Sequence, residues 1–223
     1  MSRTVLAPHL SVALPLSQER SRATLDRLLD ATEAVLKKEG LGATTIAAVA
    51  ERAGVSVGAV YKRFPDKDAL LRGVYERFFT RSAQANAAAL QPERWASHSA
   101  SGLIDSLVAG MVHGYFEQRD LLRALILLAE THPESRFREH AESLRKETFE
   151  RIATLLLARR AEIQHQNAAP AIEFSLMLLG LGLRGIVFDA TRTYKFAQSE
   201  RVLARELARV MKAYLGCDST TIS

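Results

Sequence analysis

Thr44 to Lys67 reads TTIAAVAERAGVSVGAVYKRFPDK, and capping chemistry alone writes two short helices into it. Thr45 is an N-cap for a first helix in which Ile46, Val49, Ala50 and Ala53 recur at helical spacing. Gly54 ends it, since glycine takes the left-handed conformation without steric cost. Ser56 is the next N-cap, and Val57 to Arg63 is long enough for a second helix with Val60 and Phe64 facing inward. Ala50 and Gly54 are small enough for the two helices to cross closely. The pattern predicts a helix-turn-helix whose second helix points its first turn outward. Helix N-termini carry free N–H groups and partial positive charge, which suits phosphates and base edges in a major groove, with Tyr61 and Lys62 alongside. An ordinary αα-hairpin inside a bundle would carry the same turn.

On the N-terminal side, Leu25, Leu28, Leu29, Thr32, Val35 and Leu36 form one helical face, which predicts a helix from about Gln18 to Glu39 closed by Gly40. On the C-terminal side, Pro65-Asp66 breaks the chain and Asp66 caps a fourth helix with Leu70, Leu71, Val74, Tyr75 and Phe78 as its stripe. Gln91 through Ser101 reads as a linker, because Pro, Ser and His cluster and periodicity lapses. Beyond it, helices are expected from Leu103 to Tyr115, from about Asp120 to Thr131, and from Pro133 to Ile163. Ala169-Pro170 opens a helix that is apolar all round and must be covered on every side. Ser199 to Leu215, closed by Gly216, sets Leu203, Leu207, Val210 and Tyr214 at alternating four- and three-residue steps, a coiled-coil-like seam. Gly180, Gly182 and Gly185 permit close backbone approach, so these last two helices are the expected homodimer interface.

Thr44-Thr45, then Ile46-x-x-Val49-Ala50-x-x-Ala53-Gly54-Val55-Ser56, then Gly58-x-Val60-Tyr61-x-x-Phe64-Pro65-x-Lys67-x-x-Leu70-Leu71, resembles the N-terminal domain of TetR/AcrR-type transcriptional regulators almost position for position, over roughly residues 20 to 80. Beyond about residue 85 the resemblance is only in length and helical character. It implies an all-α fold: an N-terminal helix-turn-helix three-helix domain and a larger C-terminal helical ligand-binding and dimerisation domain. The divisions expected are a disordered arm over 1–17, the DNA-binding domain over 18–66 and the effector and dimerisation domain over 67–223. In the resembled family the lysine at the Lys67 position contacts phosphate, and the last long helices of two subunits pack as a four-helix bundle.

The candidates for DNA contact are Thr45, Ser56, Val57, Gly58, Ala59, Tyr61, Lys62 and Lys67. Thr45, Tyr61, Lys62 and Lys67 donate to phosphates, which gives affinity and salt dependence. Val57 and Ala59 meet base edges and, being apolar, read thymine methyl groups, while Gly58 allows close backbone approach.

Composition agrees in class. With 223 residues the chain can bury a sizeable core; 48% of its residues are hydrophobic and 25% charged, ordinary for a globular protein. Formal net charge is +5, and residues 19–81 hold 12 Lys or Arg against 9 Asp or Glu, so the basic excess leans toward the helix-turn-helix. A single cysteine, Cys217, excludes an intrachain disulfide framework and fits a reducing cytoplasm. Pro8, His9 and Pro15 interrupt the N-terminal apolar residues, so no secretory h-region is read there. Phe174 to Val187 is read as too short for a bilayer span and carries Arg184; no membrane segment is expected.

Met111, His113, Tyr115, Phe116, Phe149, Phe174, Met177, Arg184 and Phe188 are the candidates for an apolar effector cavity with a few polar groups, although aromatic and Met residues also fill plain cores. Arg184 lies on nearly the same helical face as Glu173, so an ion pair across a dimer is another expectation for it. Catalytic residues, metal ligands and cofactors are not expected. His98, His113, His132, His140 and His165 are scattered, and Gly180-x-Gly182-x-x-Gly185, though spaced like a dinucleotide fingerprint, follows no strand. The sequence therefore reads as a cytoplasmic homodimeric regulator, a repressor by resemblance, that holds a palindromic double-stranded operator and is released by a small hydrophobic effector. The alternatives are an effector-independent regulator controlled through protein contacts, and a helical enzyme or binding protein that never meets DNA.

Overall fold

Capping residues divide the chain into helices where their chemistry puts them. The computed structural model describes residues 16–132, 136–188 and 193–217, and among these it is helical without a strand. The expected arm lies outside the described residues except for Leu16 and Ser17, with which the first helix begins, and Pro133 lies outside them too.

Helix α1 spans Leu16–Ala43, longer than expected, because a further turn follows the break at Gly40 (φ 79°, ψ 176°). Helix α2 is Ile46–Ala53; the Thr45 hydroxyl accepts from the Ala48 amide at 3.1 Å and Gly54, at φ 65°, closes the helix. Helix α3 is Val57–Tyr61, with the Ser56 hydroxyl accepting from the Ala59 amide at 3.1 Å. Helix α4, Lys67–Ala89, starts where Asp66 accepts from the Ala69 amide at 2.7 Å. The left-handed cap makes Gly54 the sensitive point of the turn. Added Cβ atoms find open space there, so only backbone strain opposes them. Gly54→Ala is expected to cost about 1–2 kcal/mol, read as a lower midpoint in denaturant.

The stretch read as a linker is tied down. It holds a short helix α5, Pro92–Trp95, and Arg159 donates to the Trp95 carbonyl and, at 2.6 Å, to that of His98. The Ala100 amide donates to Glu162 at 2.7 Å. Helix α6 is Ala100–Glu117, α7 is Arg119–Thr131 and α8 is Arg136–Leu157. The end expected at Ile163 comes six residues earlier. Arg159 spends its guanidinium on carbonyls of a distant segment, and the chain turns through a single 3₁₀ turn at Arg160–Glu162. Helices α9, Ala168–Phe188, and α10, Glu200–Leu215, complete the described chain; Ser199 caps α10 and Gly216 closes it.

Two apolar cores form, and α7 belongs to the first. Leu28 and Leu36 of α1, Val49 of α2, Val60 of α3 and Val74 and Tyr75 of α4 are buried together with Leu121, Leu125 and Leu128 of α7 and with Phe137 of α8. The second core gathers Leu103, Ile104, Val108 and Val112 of α6, Ile152 and Leu156 of α8, Ile172, Leu183 and Ile186 of α9, and Leu203, Met211 and Leu215 of α10. Arg77, nearly buried, ties α4 to α1 through Asp30 at 2.8 Å and through Glu33.

Helix α9 departs from its reading in two ways. At 21 residues and mean hydropathy 1.8 it is long and apolar enough to cross a bilayer, yet its inner side is buried against α6, α7, α8 and α10, the place of a core helix. Its outer side is not covered by the described residues. Phe174, Met177, Leu178 and Leu181 are exposed, Leu181 by 60%. The seam read on α10 splits likewise: Leu203 is buried and Leu207 half-buried, while Val210 (59% exposed) and Tyr214 face outward beside Phe174, the Phe174 and Tyr214 rings 5.5 Å apart.

Candidate nucleic-acid interface and effector cavity

The α2–α3 pair stands on the first core through Val49, Ala50, Val60 and Phe64, and the other side of α3 is left uncovered by the described residues. Val57 and Tyr61 are 42% and 52% exposed, and Gly58 and Lys62 are exposed with them. These four share the outward face. Ala59 is half-buried, so Val57 is the more open of the two residues read for base edges. A Cβ at Gly58 would come no nearer than 3.9 Å to its surroundings, that neighbour being the Ser56 hydroxyl, so glycine is not demanded there by the chain's own packing.

Thr45 and Ser56 use their oxygens as acceptors for the caps, and each retains a hydroxyl hydrogen. Lys67 is half-buried and donates to the Leu41 carbonyl at 3.3 Å, which fixes its ammonium beside the end of α1 while leaving it two more hydrogens. Arg63, absent from the candidates, donates to Ser21 of α1 at 3.1 Å. No local pattern announces it, because its partner is far away in sequence. The exposed face of α3 presents an apolar side chain beside the Tyr61 hydroxyl and the Lys62 ammonium, the chemistry of phosphate and major-groove contact.

A cavity of about 720 Å³ lies between α4, α7, α8 and α9. Its volume is that of a small-molecule site. Of the residues read for it, Tyr115, Phe149, Met177 and Arg184 line it. The other five sit elsewhere. Met111 and Phe116 pack against the second core; Phe174 is on the outer face of α9; Phe188 lies under the Arg184 guanidinium, 5.3 Å from its ring centre; His113 is exposed and paired with Glu200 at 3.0 Å. Within the chain Arg184 pairs with Glu130 of α7.

Sequence reasoning missed the α7 wall. Leu122, Ile126 and Glu130 line the cavity from a face of α7 that adjoins the core stripe of Leu121, Leu125 and Leu128, and Leu125 itself reaches both. The signal was present as a second apolar stripe at four-residue spacing. Tyr75 and Phe79 close the end nearest the helix-turn-helix, with ring centres 4.4 Å apart, and the Tyr75 hydroxyl donates to the Phe137 carbonyl. Burial pushes the Tyr75 hydroxyl well above the usual tyrosine range, and Glu76 adds to the shift. It remains a donor at any physiological pH.

Known proteins match on the same two levels. The family described as "Bacterial regulatory proteins, tetR family" matches residues 28–74. The HTH-type transcriptional repressor KstR of Mycolicibacterium smegmatis is 45% identical over 76 residues, which cover 34% of this chain and 37% of that protein. The match thus spans little more than a third of the relative's length. Among solved structures, a bacterial regulatory protein in the tetR family from Rhodococcus has TM-score 0.65 at 22% identity, covering 88% of this chain and 98% of that one. The SmeT–triclosan complex has TM-score 0.61 at 20% identity over 86% and 90% of the two chains. At these identities the likeness is one of fold.

Proposed function

We propose, from the membership of residues 28–74 in the tetR family of bacterial regulatory proteins, that this chain is a transcriptional repressor working in the cytoplasm. It binds a palindromic operator as a homodimer, one reading helix per subunit, and a small molecule in the cavity releases it. The observation that carries the reading is the outward edge of α3. Val57, Gly58, Tyr61 and Lys62 are presented together on a helix whose opposite side is locked into the core. The KstR relative is named a repressor, which supports the sign of regulation.

The dimer forms on the uncovered apolar side of α9 and α10. Phe174, Leu178, Val210 and Tyr214 are too large an apolar set to stand in water without a partner of the same kind. Release follows from where the cavity lies. One of its walls is α7, which packs on α1 of the reading head, and another is α9, which carries the dimer face. A ligand that moves one wall against the other changes the distance between two heads, and they fit successive major grooves only when about 34 Å apart. A fold neighbour solved with triclosan supports a small-molecule role for such a domain.

Within the edge, roles divide by chemistry. Lys62→Ala is expected to weaken binding to every DNA sequence alike and to reduce the salt slope of log K by about one. Substitutions of Val57 change base preference instead. Fluorescence anisotropy on a panel of operator variants at several salt concentrations separates the two; a change of base preference in Lys62→Ala would reverse the assignment. The test of the function as a whole is to incubate the purified chain with fragmented DNA of its own source at physiological salt and to sequence what it retains. A few fragments sharing an inverted repeat are expected. Retention of everything or of nothing would remove the regulator reading.

A further inference from the structure

We infer that the molecule taken by the cavity is an acid, an apolar body with a single anionic head such as a carboxylate, and that Tyr115, Arg145 and Arg184 receive the head. This rests on the reading of the cavity as the effector site and adds the sign of the ligand's charge. The body is provided for by Leu122, Ile126, Phe149, Leu176 and Met177, which make the middle of the cavity apolar.

Four acidic and four basic side chains line the walls, so number does not decide the sign. Placement does. Lys146 and Glu150 pair with each other at 3.8 Å along α8, and Arg138 and Glu142 contribute one charge of each sign a turn or more farther toward its start. Glu173 is eleven residues from Arg184 on α9, about 16 Å along the helix. Arg145 remains, and among the described residues it has no carboxylate within 4 Å.

Helical register sets Arg145 beside Arg184. The Phe149 ring touches α9 at Gly180, where an added Cβ would stand 3.2 Å from it. One turn back on α8 is Arg145, and one turn forward on α9, which runs the opposite way, is Arg184. Tyr115 lines the same cavity close enough for both charges to act on its hydroxyl, which has no hydrogen-bond partner among the described residues. Burial raises its pKa, and Arg145 and Arg184 are the charges that draw it back down. It therefore offers a proton to an acceptor at neutral pH while both neighbouring charges are positive, the setting a carboxylate requires.

The same head group explains release. Arg184 is held by Glu130, and Glu130 sits on α7, whose other stripe is buried in the core of the reading head. An anion arriving at Arg184 competes with Glu130 and loosens the link between α7 and α9. An uncharged ligand of the same shape leaves that link in place.

Calorimetry on the full-length chain, with decanoate, decan-1-ol and decylamine below their aggregation limits, tests this. Decanoate is expected to bind at least tenfold more tightly than either of the others. Arg145→Gln is expected to bring decanoate to the level of decan-1-ol without changing the latter. Tyr115→Phe, which removes only the hydroxyl, is the second variant and is expected to weaken decanoate alone. Equal binding of decanoate and decan-1-ol would overturn the acid head while leaving the cavity reading intact. Tightest binding of decylamine would overturn it in favour of Glu130 and Glu173. Failure of all three compounds to bind would remove the acid and the effector reading together.

Discussion

Val210→Arg is expected to leave the fold intact and, if the proposed dimer packs on α9 and α10, to yield a monomer at low micromolar concentration. Val210 is 59% exposed in the single chain, so a longer, charged side chain there displaces nothing, and arginine is the better helix former. In a dimer packed on α9 and α10 the outcome is different. The substitution would bury a guanidinium whose nearest carboxylate on the helix, Glu206, is already shared by Arg205 and Arg209, at a cost of about 3–5 kcal/mol, and a two-fold interface repeats the damage. Operator affinity is then expected to fall by about a thousandfold, because each monomer holds one half-site. Light scattering and anisotropy on the same preparation measure both effects. A Val210→Arg protein that remains dimeric would place the interface elsewhere.

Tyr75→Ala is expected to cost about 3–5 kcal/mol of stability, the range for losing a buried aromatic side chain. The ring is fully buried, lies 4.8 Å from the Phe137 ring centre and joins α4 to α8. Tyr75→Phe keeps the ring and removes the hydroxyl with its bond to the Phe137 carbonyl, so about 1–3 kcal/mol is expected. In a chain of this size the larger loss lowers the melting temperature by roughly 10 °C. Thermal and urea unfolding of the two variants check the order. Equal losses in both would mean that the hydrogen bond, not the ring, holds the joint.

The helix-turn-helix was legible because its determinants are local. Thr45, Ser56, Asp66 and Gly54 each act within three or four residues, and all four cap where their chemistry puts them. The end of α8 was not, since it depends on Arg159 reaching carbonyls more than sixty residues away. The cavity residues were half-legible for a related reason. Aromatic and Met side chains mark apolar helices, but which face of a helix meets a void and which meets a neighbour is set by tertiary packing. Thus Tyr115 and Phe149 line the cavity, whereas Phe174 and Met111, of the same chemical kind, do not. On α10 the buried face is centred on Ala204, Ala208, Met211 and Leu215, and the residues spaced as a seam run along its flank, drifting only about 20° per heptad; Leu203 is buried and Val210 exposed because of what the neighbouring elements cover, which spacing does not encode.

Helix α7 gives the reading head part of its interior, and this limits how the protein can be taken apart. A chain ending after α4 would leave Leu28, Leu36, Val74 and Tyr75 without Leu121, Leu125, Leu128 and Phe137, and water would reach apolar surface that the whole protein keeps dry. Heads of this kind are therefore not interchangeable modules. A chimaera that grafts another helix-turn-helix onto the remaining helices has to match the α7 stripe, and drift in one surface must be answered by drift in the other.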